Sequence, residues 1–333
     1  MIELSVVIPT RNRCKFLSNC LDSINKQSLD KSKFEVIVID NGSTDETKKI
    51  VDSFQSLFPN LIYFYEDKPG LHNGRHDGYR LAKSNILVYA DDDIIAFPTW
   101  LETINEEFKD EGIFLVGGNN LPLFEEKPPF WLLAKWYSLC EYGHCLPYLS
   151  IIDFGASRKE ISPYYVFGCN FAVRKQIIED AGGFHPDGVP FEMVQFRGDG
   201  ETYIAKYIIE KGLRTIFNPK ASVYHQVPKE RLTIDYFSQW SFKSGIVRSY
   251  DELRYGNKKV TKTSWAKRMK KLVKILFGIE IVRILEQLVS QGKSIEINRE
   301  LDYYEKLGYE FHQKLYFHSE EIRQWVHRPN YWE

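Results

Sequence analysis

Five short apolar runs, separated by segments of helical periodicity, occupy the first 118 residues and restrict the chain to few folds. The runs are Leu4–Ile8, Phe34–Ile39, Leu61–Tyr65, Ile86–Ala90 and Ile113–Val116. Near-continuous apolarity is what a strand needs when both faces of its sheet are covered, as in parallel sheets. The segments between, Lys15–Gln27 and Thr44–Leu57 among them, are amphipathic, and Ser43 and Glu46 have capping-box spacing ahead of the second. Strand and helix in alternation predict an α/β fold: a mostly parallel, Rossmann-like sheet with right-handed crossovers and flanking helices.

From Asn119 to Tyr165 the periodicity breaks down. The stretch "EEKPPFWLLAKWYSLCEYGHCLPY" is rich in proline and aromatics and predicts long ordered loops with one helix. Order resumes with a strand over Val166–Val173, a helix near Lys175–Ala181 and another from Glu201 to Lys211. Two short strands, Thr215–Phe217 and Ser222–His225, follow, and the remainder is mostly helical. The expected organisation is one domain over residues 1–250, in halves 1–118 and 119–250, then a helical region over 251–333.

Bulk properties remove several classes of function. A formal net charge of −1 supplies no global field for nucleic acid or a membrane. Five cysteines without a C-x-x-C fit individually buried, reduced thiols of a cytoplasmic protein. Cys140, His144 and Cys145 could suggest zinc, but they lack a second ligand pair at metal spacing. The opening "MIELSVVIPTRNR" does not read as a secretory leader, having a short apolar run and no basic region before it, so none is expected. No stretch has the roughly 18 uninterrupted apolar residues of a spanning helix.

The residues that follow the strands are polar and specific. Strand one ends in Pro9-Thr10-Arg11-Asn12-Arg13, strand two in Asp40-Asn41-Gly42, and strand four in Asp91-Asp92-Asp93. Open parallel sheets bind ligands beyond the carboxyl ends of their strands, so these groups should converge on one edge. Three adjacent aspartates repel one another unless a cation lies among them. Mg2+ or Mn2+ takes one or two protein carboxylates and leaves positions for substrate phosphates. The triplet therefore suits a diphosphate, with one carboxylate on the metal and a neighbour accepting from a ribose hydroxyl. Neither G-x-G-x-x-G nor a Walker A motif is present to hold phosphate instead. Asp40 at a strand end could accept from the ring N–H that uracil, thymine and guanine carry. Arg75, in "GLHNGRHDG", could supply positive charge to base or phosphate, and Gly70, Gly74 and Gly78 suggest close backbone approach.

The segments "SVVIPTRNR", "VIVIDNGSTDET" and "GLHNGRHDGYRLAKSNILVYADDD" resemble the nucleotide-binding half of an inverting family 2 glycosyltransferase. "FGCNFAVRK", "AGGFHPD", "RGDGETYIAKYIIEKG" and "NPKASVYHQV" resemble the acceptor half of that family. The resemblance spans roughly residues 3 to 245 and implies a glycosyltransferase-A fold with a sugar nucleoside diphosphate, most simply UDP-linked, as donor. It further implies that Thr10 and Arg11 border the base, Asp40 reads it, Asp92 meets the ribose, and Asp93 and His225 hold the metal.

Inverting transfer needs a base for the acceptor hydroxyl, which the family usually takes from a Glu-Asp pair opening a helix. The matching place here is Arg197-Gly198-Asp199-Gly200-Glu201, which leaves two candidates, Glu201 by register and Asp199. His76 stands where the family commonly has Asn, and the processive Q-x-x-R-W motif is missing. Single-sugar transfer to a glycan or lipid-linked saccharide is the implied reaction. The competing readings are a sugar-nucleotide pyrophosphorylase, a phosphatase and an inactive binding or scaffolding relative. Finally, Leu253–Ile279 holds nine basic residues, no acid and an apolar stripe. Residues 262–277 would either lie on an anionic membrane at the inner face of the plasma membrane, or pack on the domain or a second subunit.

Overall fold

The computed structural model describes residues 1–256 and 280–332. In chain order the elements begin β1 (Leu4–Thr10), α1 (Cys14–Asn25), β2 (Phe34–Asp40), α2 (Thr47–Phe54), β3 (Leu61–Tyr65) and α3 (Leu71–Leu81). There follow β4 (Ile86–Ala90), β5 (Ile94–Ala96), α4 (Trp100–Glu107), β6 (Ile113–Gly117) and β7 (Asn120–Phe124). Next come α5 (Phe130–Trp136), β8 (His144–Leu146), β9 (Ile151–Asp153), β10 (Lys159–Glu160), β11 (Asn170–Arg174) and α6 (Lys175–Ala181). The described chain ends with α7 (Glu201–Glu210), β12 (Arg214–Phe217), β13 (Val223–Val227), α8 (Ile234–Tyr255), α9 (Glu280–His318) and α10 (Glu320–Val326).

The main sheet runs β10-β12-β6-β11-β4-β1-β2-β3. Every residue of β1, β2 and β4 is buried, as the continuous apolar runs require. Leu4, Val6 and Ile8 pack with Leu17 and Leu21 of α1 and Trp100 of α4, while Val7 and Leu87 pack with Ile177 of α6 and Ile204 of α7. The α/β expectation therefore holds. Two strands depart from the parallel rule: β11 inserts antiparallel between β4 and β6, and β10 pairs antiparallel with β12 at the edge. The expected strand Val166–Val173 begins only at Asn170, because a 3₁₀ turn over Pro163–Tyr165 leads into it. Gly78 lets α3 lie on β1, since a Cβ there would stand 2.1 Å from Val7 Cγ1.

Two local expectations are overturned. Ser43 does not cap a helix: α2 begins at Thr47, and the Ser43 hydroxyl accepts from the Asn12 amide instead. Residues 119–165 are not mainly loops. They supply β7, β8 and β9 of a second sheet, ordered β5-β13-β7-β9-β8. Its strands are three to five residues long, too short to show a period.

The helix α8 runs through position 250, and α9 crosses it at glycines. A Cβ on Gly245 would lie 1.9 Å from the Glu305 carbonyl oxygen, and one on Gly308 1.9 Å from that of Phe242. Beyond α10, Tyr331 is buried against Tyr250 with their hydroxyls 2.8 Å apart, and Trp332 packs on His76. Among the described residues no helix is long and apolar enough to cross a membrane. The basic segment 262–277 lies outside the described residues.

Candidate active site

The carboxyl ends of β1, β2 and β4 meet as their polarity implied. Thr10 Oγ1 donates to Asp92 Oδ2 at 2.6 Å, so strand one and the aspartate run touch directly. Arg13, just beyond β1, spans two carboxylates, with 2.7 Å to Asp92 and 2.6 Å to Asp93. Arg231 approaches Asp93 to 3.3 Å. Asp40 is buried at the end of β2, where it accepts from the Ser43 amide and the Tyr63 hydroxyl, each at 2.8 Å. Arg11 is exposed at the same edge, whereas Pro9 is buried beneath Gly74 of α3.

His225 reaches this edge from the second sheet. Its Nε2 lies 3.1 Å from Asp93 Oδ1, and its Nδ1 lies 2.8 Å from the Leu149 carbonyl. A carbonyl only accepts, so Nδ1 carries the proton and the Nε2 lone pair of a neutral ring faces a carboxylate. That contact is favourable only if the ring is charged or a cation lies between the two. Orienting one ring nitrogen by a backbone carbonyl while the other faces the ion is the usual support of a metal-binding histidine. Asp91, Asp93 and His225 each present one ligand atom, and these atoms lie within 4.8 Å of one another. The set fits a divalent cation. Among the described residues it is the group that gathers three such ligands, and Cys140, His144 and Cys145 do not form one.

Burial opposes ionisation of all three aspartates. It pushes Asp92 up to about 7 and raises Asp91 as well. Asp93 is held well below the ordinary range in spite of burial, first by His225 and then by Arg13 and Arg231. The repulsion implicit in three adjacent aspartates is thus answered in part by two arginines from separate elements, with the His225 ring reaching Asp93 from a third.

The opposite wall is built around Arg75. Its guanidinium is buried and pairs with Asp187 at 3.0 Å and with Glu201 at 3.1 Å. Glu201 opens α7, where it also accepts from the Gly168 amide at 3.3 Å. Arg75 lowers the Glu201 carboxyl against the burial that would raise it. The Asp187 carboxyl is pushed up to about 7, by burial and by the charge of Glu201. Asp199 is committed elsewhere: it takes His185 and Lys206 at 2.6 Å each, and they hold it near 2 despite burial. A cleft of about 480 Å³ joins the walls, lined by Asp91, Arg75, Asp187, Arg197, Glu201 and Lys243 among others. Sequence reasoning missed Asp187 and Arg231. "AGGFHPD" was the available signal for the first, since it carries an aspartate beside a glycine pair ahead of the α7 motif.

A crevice at the carboxyl edge of this mixed sheet, with a carboxylate–histidine group on one wall and a carboxylate opening a helix on the other, is the arrangement of the glycosyltransferase-A class. The chain belongs to glycosyl transferase family 2, whose family model matches residues 5–182. Among its relatives, glycosyltransferase AglE of Haloferax volcanii is 37% identical over 117 residues, 35% of this chain. The chain spans 38% of the length of AglE and 24% of that of the Bacillus subtilis glycosyltransferase YfnE. The glucosyl-dolichyl phosphate glucuronosyltransferase of Haloferax volcanii is 22% identical across 80% of this chain and 82% of its own. The fold is shared with S. aureus TarS in complex with UDP-GlcNAc, at TM-score 0.51 and 14% identity over 95% of this chain and 92% of that one. It is shared also with the mannosyltransferase PcManGT of Pyrobaculum calidifontis in complex with GDP-Man and Mn2+, at TM-score 0.51 and 18% identity over 97% and 83%.

Proposed function

We propose that the protein transfers a single sugar, with inversion, from a nucleoside-diphosphate sugar to a hydroxyl of a glycan or lipid-linked saccharide. The observation that carries this reading is that Asp91 of the three-ligand group and Glu201 line one cleft. Asp91, Asp93 and His225 would hold Mn2+ or Mg2+, which would supply Lewis-acid stabilisation to the departing diphosphate.

Asp40, at the end of β2, is the group for the base N–H, and Asp92 with Thr10 the group for the ribose. Uracil and guanine both offer that N–H, and UDP is the donor nucleotide we favour. Arg13 and Arg231 add positive charge beside Asp93 for the diphosphate. Glu201 removes the acceptor proton as the acceptor oxygen bonds to the anomeric carbon and the bond from that carbon to the diphosphate breaks. Arg75 keeps this carboxylate ionised and aimed, while Asp199, bound to His185 and Lys206, positions the start of α7. Five unpaired cysteines support a reducing, cytoplasmic setting.

The test is turnover with UDP-, GDP- and TDP-sugars, with manganese or with EDTA, using simple glycosides as acceptors. Metal-dependent transfer or slow hydrolysis of a UDP-sugar is expected. Full activity in EDTA would sink the metal assignment, and UDP without affinity for the protein would sink the donor assignment.

A further inference from the structure

Resting on that reading, we propose that Arg197 and Lys243 form an anion seat in the cleft, and that the acceptor therefore carries a phosphate or carboxylate near the hydroxyl that Glu201 deprotonates. Apart from Arg11, which is exposed, the other cations around the two walls are committed to carboxylates. Arg13 is held by Asp92 and Asp93, Arg231 by Asp93, Arg75 by Asp187 and Glu201, and Lys206 by Asp199 and Asp251. Arg197 and Lys243 form no ion pair and no side-chain hydrogen bond with the described residues. Both are only partly exposed and both line the cleft that contains Glu201. The Arg197 Nε atom is buried without an acceptor.

Two half-buried positive charges facing one space repel each other, and the carboxylates of the same lining leave them without a direct partner: Asp187 and Glu201 are held on Arg75, and Arg197 acts on Asp187 only at a distance. An anion placed there removes both the mutual repulsion and the unmet donor. Burial, followed by the charge of Arg197, lowers the Lys243 ammonium from its ordinary value, as such an arrangement requires.

Position assigns the anion to the acceptor. Of the three-ligand group only Asp91 reaches the lining of this cleft, while Asp93, His225 and Arg231 do not, which favours a seat toward Glu201 and away from the place where the donor diphosphate is expected. Trp240 lines the cleft one helical turn before Lys243 on α8, an aromatic face suited to a sugar ring beside the charge. Arg197 precedes the Gly198–Glu201 turn that sets the base, so one backbone segment carries both the seat and the base.

The experiment uses the whole chain saturated with UDP and Mg2+, to fill the donor position, and titrates methyl phosphate or acetate by ligand-observed NMR. Saturable binding of methyl phosphate is expected, weakened about tenfold or more by Arg197→Gln and by Lys243→Gln and retained in Lys243→Arg. Acetate binding on the same residues would extend the seat to carboxylates, and methyl phosphate alone would restrict it to phosphates. Methyl phosphate affinity unchanged in both glutamine variants, with their melting temperatures preserved, overturns the seat. A parallel loss of UDP affinity in those variants overturns the acceptor assignment, because the cations would then serve the donor. Wild-type protein that fails to bind UDP counts against the donor reading alone, and the same titration without nucleotide still decides the seat.

Discussion

On the wall formed by the first strands, Asp92 and Asp93 lie among Arg13, Arg231 and His225, whereas on the facing wall one guanidinium, Arg75, is shared by Asp187 and Glu201. The first set comes from loop and strand ends, and the Arg13 and Arg231 side chains are about a quarter exposed, at 26% and 25%. Such cations can yield to an arriving metal and diphosphate. The Arg75 side chain is 3% exposed and sits mid-helix, so it has nowhere to go. On the proposed function, one wall would serve the exchange of positive charge and the other would keep a carboxylate ionised and still. Electrostatic preorganisation asks for both: a place where charge arrives with the substrate, and a base that pays no reorganisation when the proton moves.

The largest effect should come from the exchanging wall. Asp93→Ala should reduce transfer by about 10³-fold or more and remove metal-dependent stabilisation by UDP in a thermal-shift assay. If that variant kept wild-type turnover, the two walls would not differ in the way described. On the fixed wall, Glu201→Gln should cost turnover about 100-fold or more while UDP affinity stays within error. Asp199→Asn should act instead on stability, by about 3 kcal/mol in denaturant unfolding, since it removes the carboxylate that Lys206 and His185 share. A folded, inactive Asp199→Asn beside an active Glu201→Gln would move the base two residues upstream.

Smaller effects test how the fixed wall is supported. Gly245→Ala should destabilise by about 1–3 kcal/mol, because the new Cβ meets a backbone oxygen of α9 and not a yielding side chain. Since α8 also carries Lys243, acceptor KM should rise in this variant before UDP affinity changes. The smallest effect concerns His76, beside Arg75 on α3. Burial pushes its imidazole down to about 2 from an ordinary 6.5. The unfolded chain then binds the extra proton as pH falls below 6.5, so stability is full above that value and declines on acidification. The slope is at most about 1.4 kcal/mol per pH unit. His76→Asn should flatten denaturation midpoints between pH 6.5 and 4.5, and an unchanged slope would remove His76 from the account.

The exchanging wall was the legible one. Its residues follow continuous apolar strands, so Thr10, Asp40 and the aspartate run could be placed on one edge from strand topology alone, and the register of β1 with β2 brings Thr10 opposite Asp40. His225 entered only through family resemblance, because its strand belongs to the sheet that the sequence did not reveal. Arg75 was found but given a different partner: charge near a base or phosphate was expected, and the fold pairs it with carboxylates 112 and 126 residues away. Nothing periodic links positions 75, 187 and 201. Register favoured Glu201 over Asp199 as the candidate base, but the contacts that separate them, His185 and Lys206 on Asp199, are not visible in the sequence.

The sequence by itself determined the mostly parallel sheet, the edge at which a ligand is expected, and the chemical types gathered there, because burial on both strand faces and polarity at strand ends are local properties. Only the tertiary structure decided which partners each carboxylate meets. That choice rests on contacts between distant segments: Lys206 and His185 on Asp199, Arg75 on Glu201, and His225 on Asp93. Charge–charge energies in a buried site turn on a few ångströms of placement, and no pattern of residue types along a chain contains those distances.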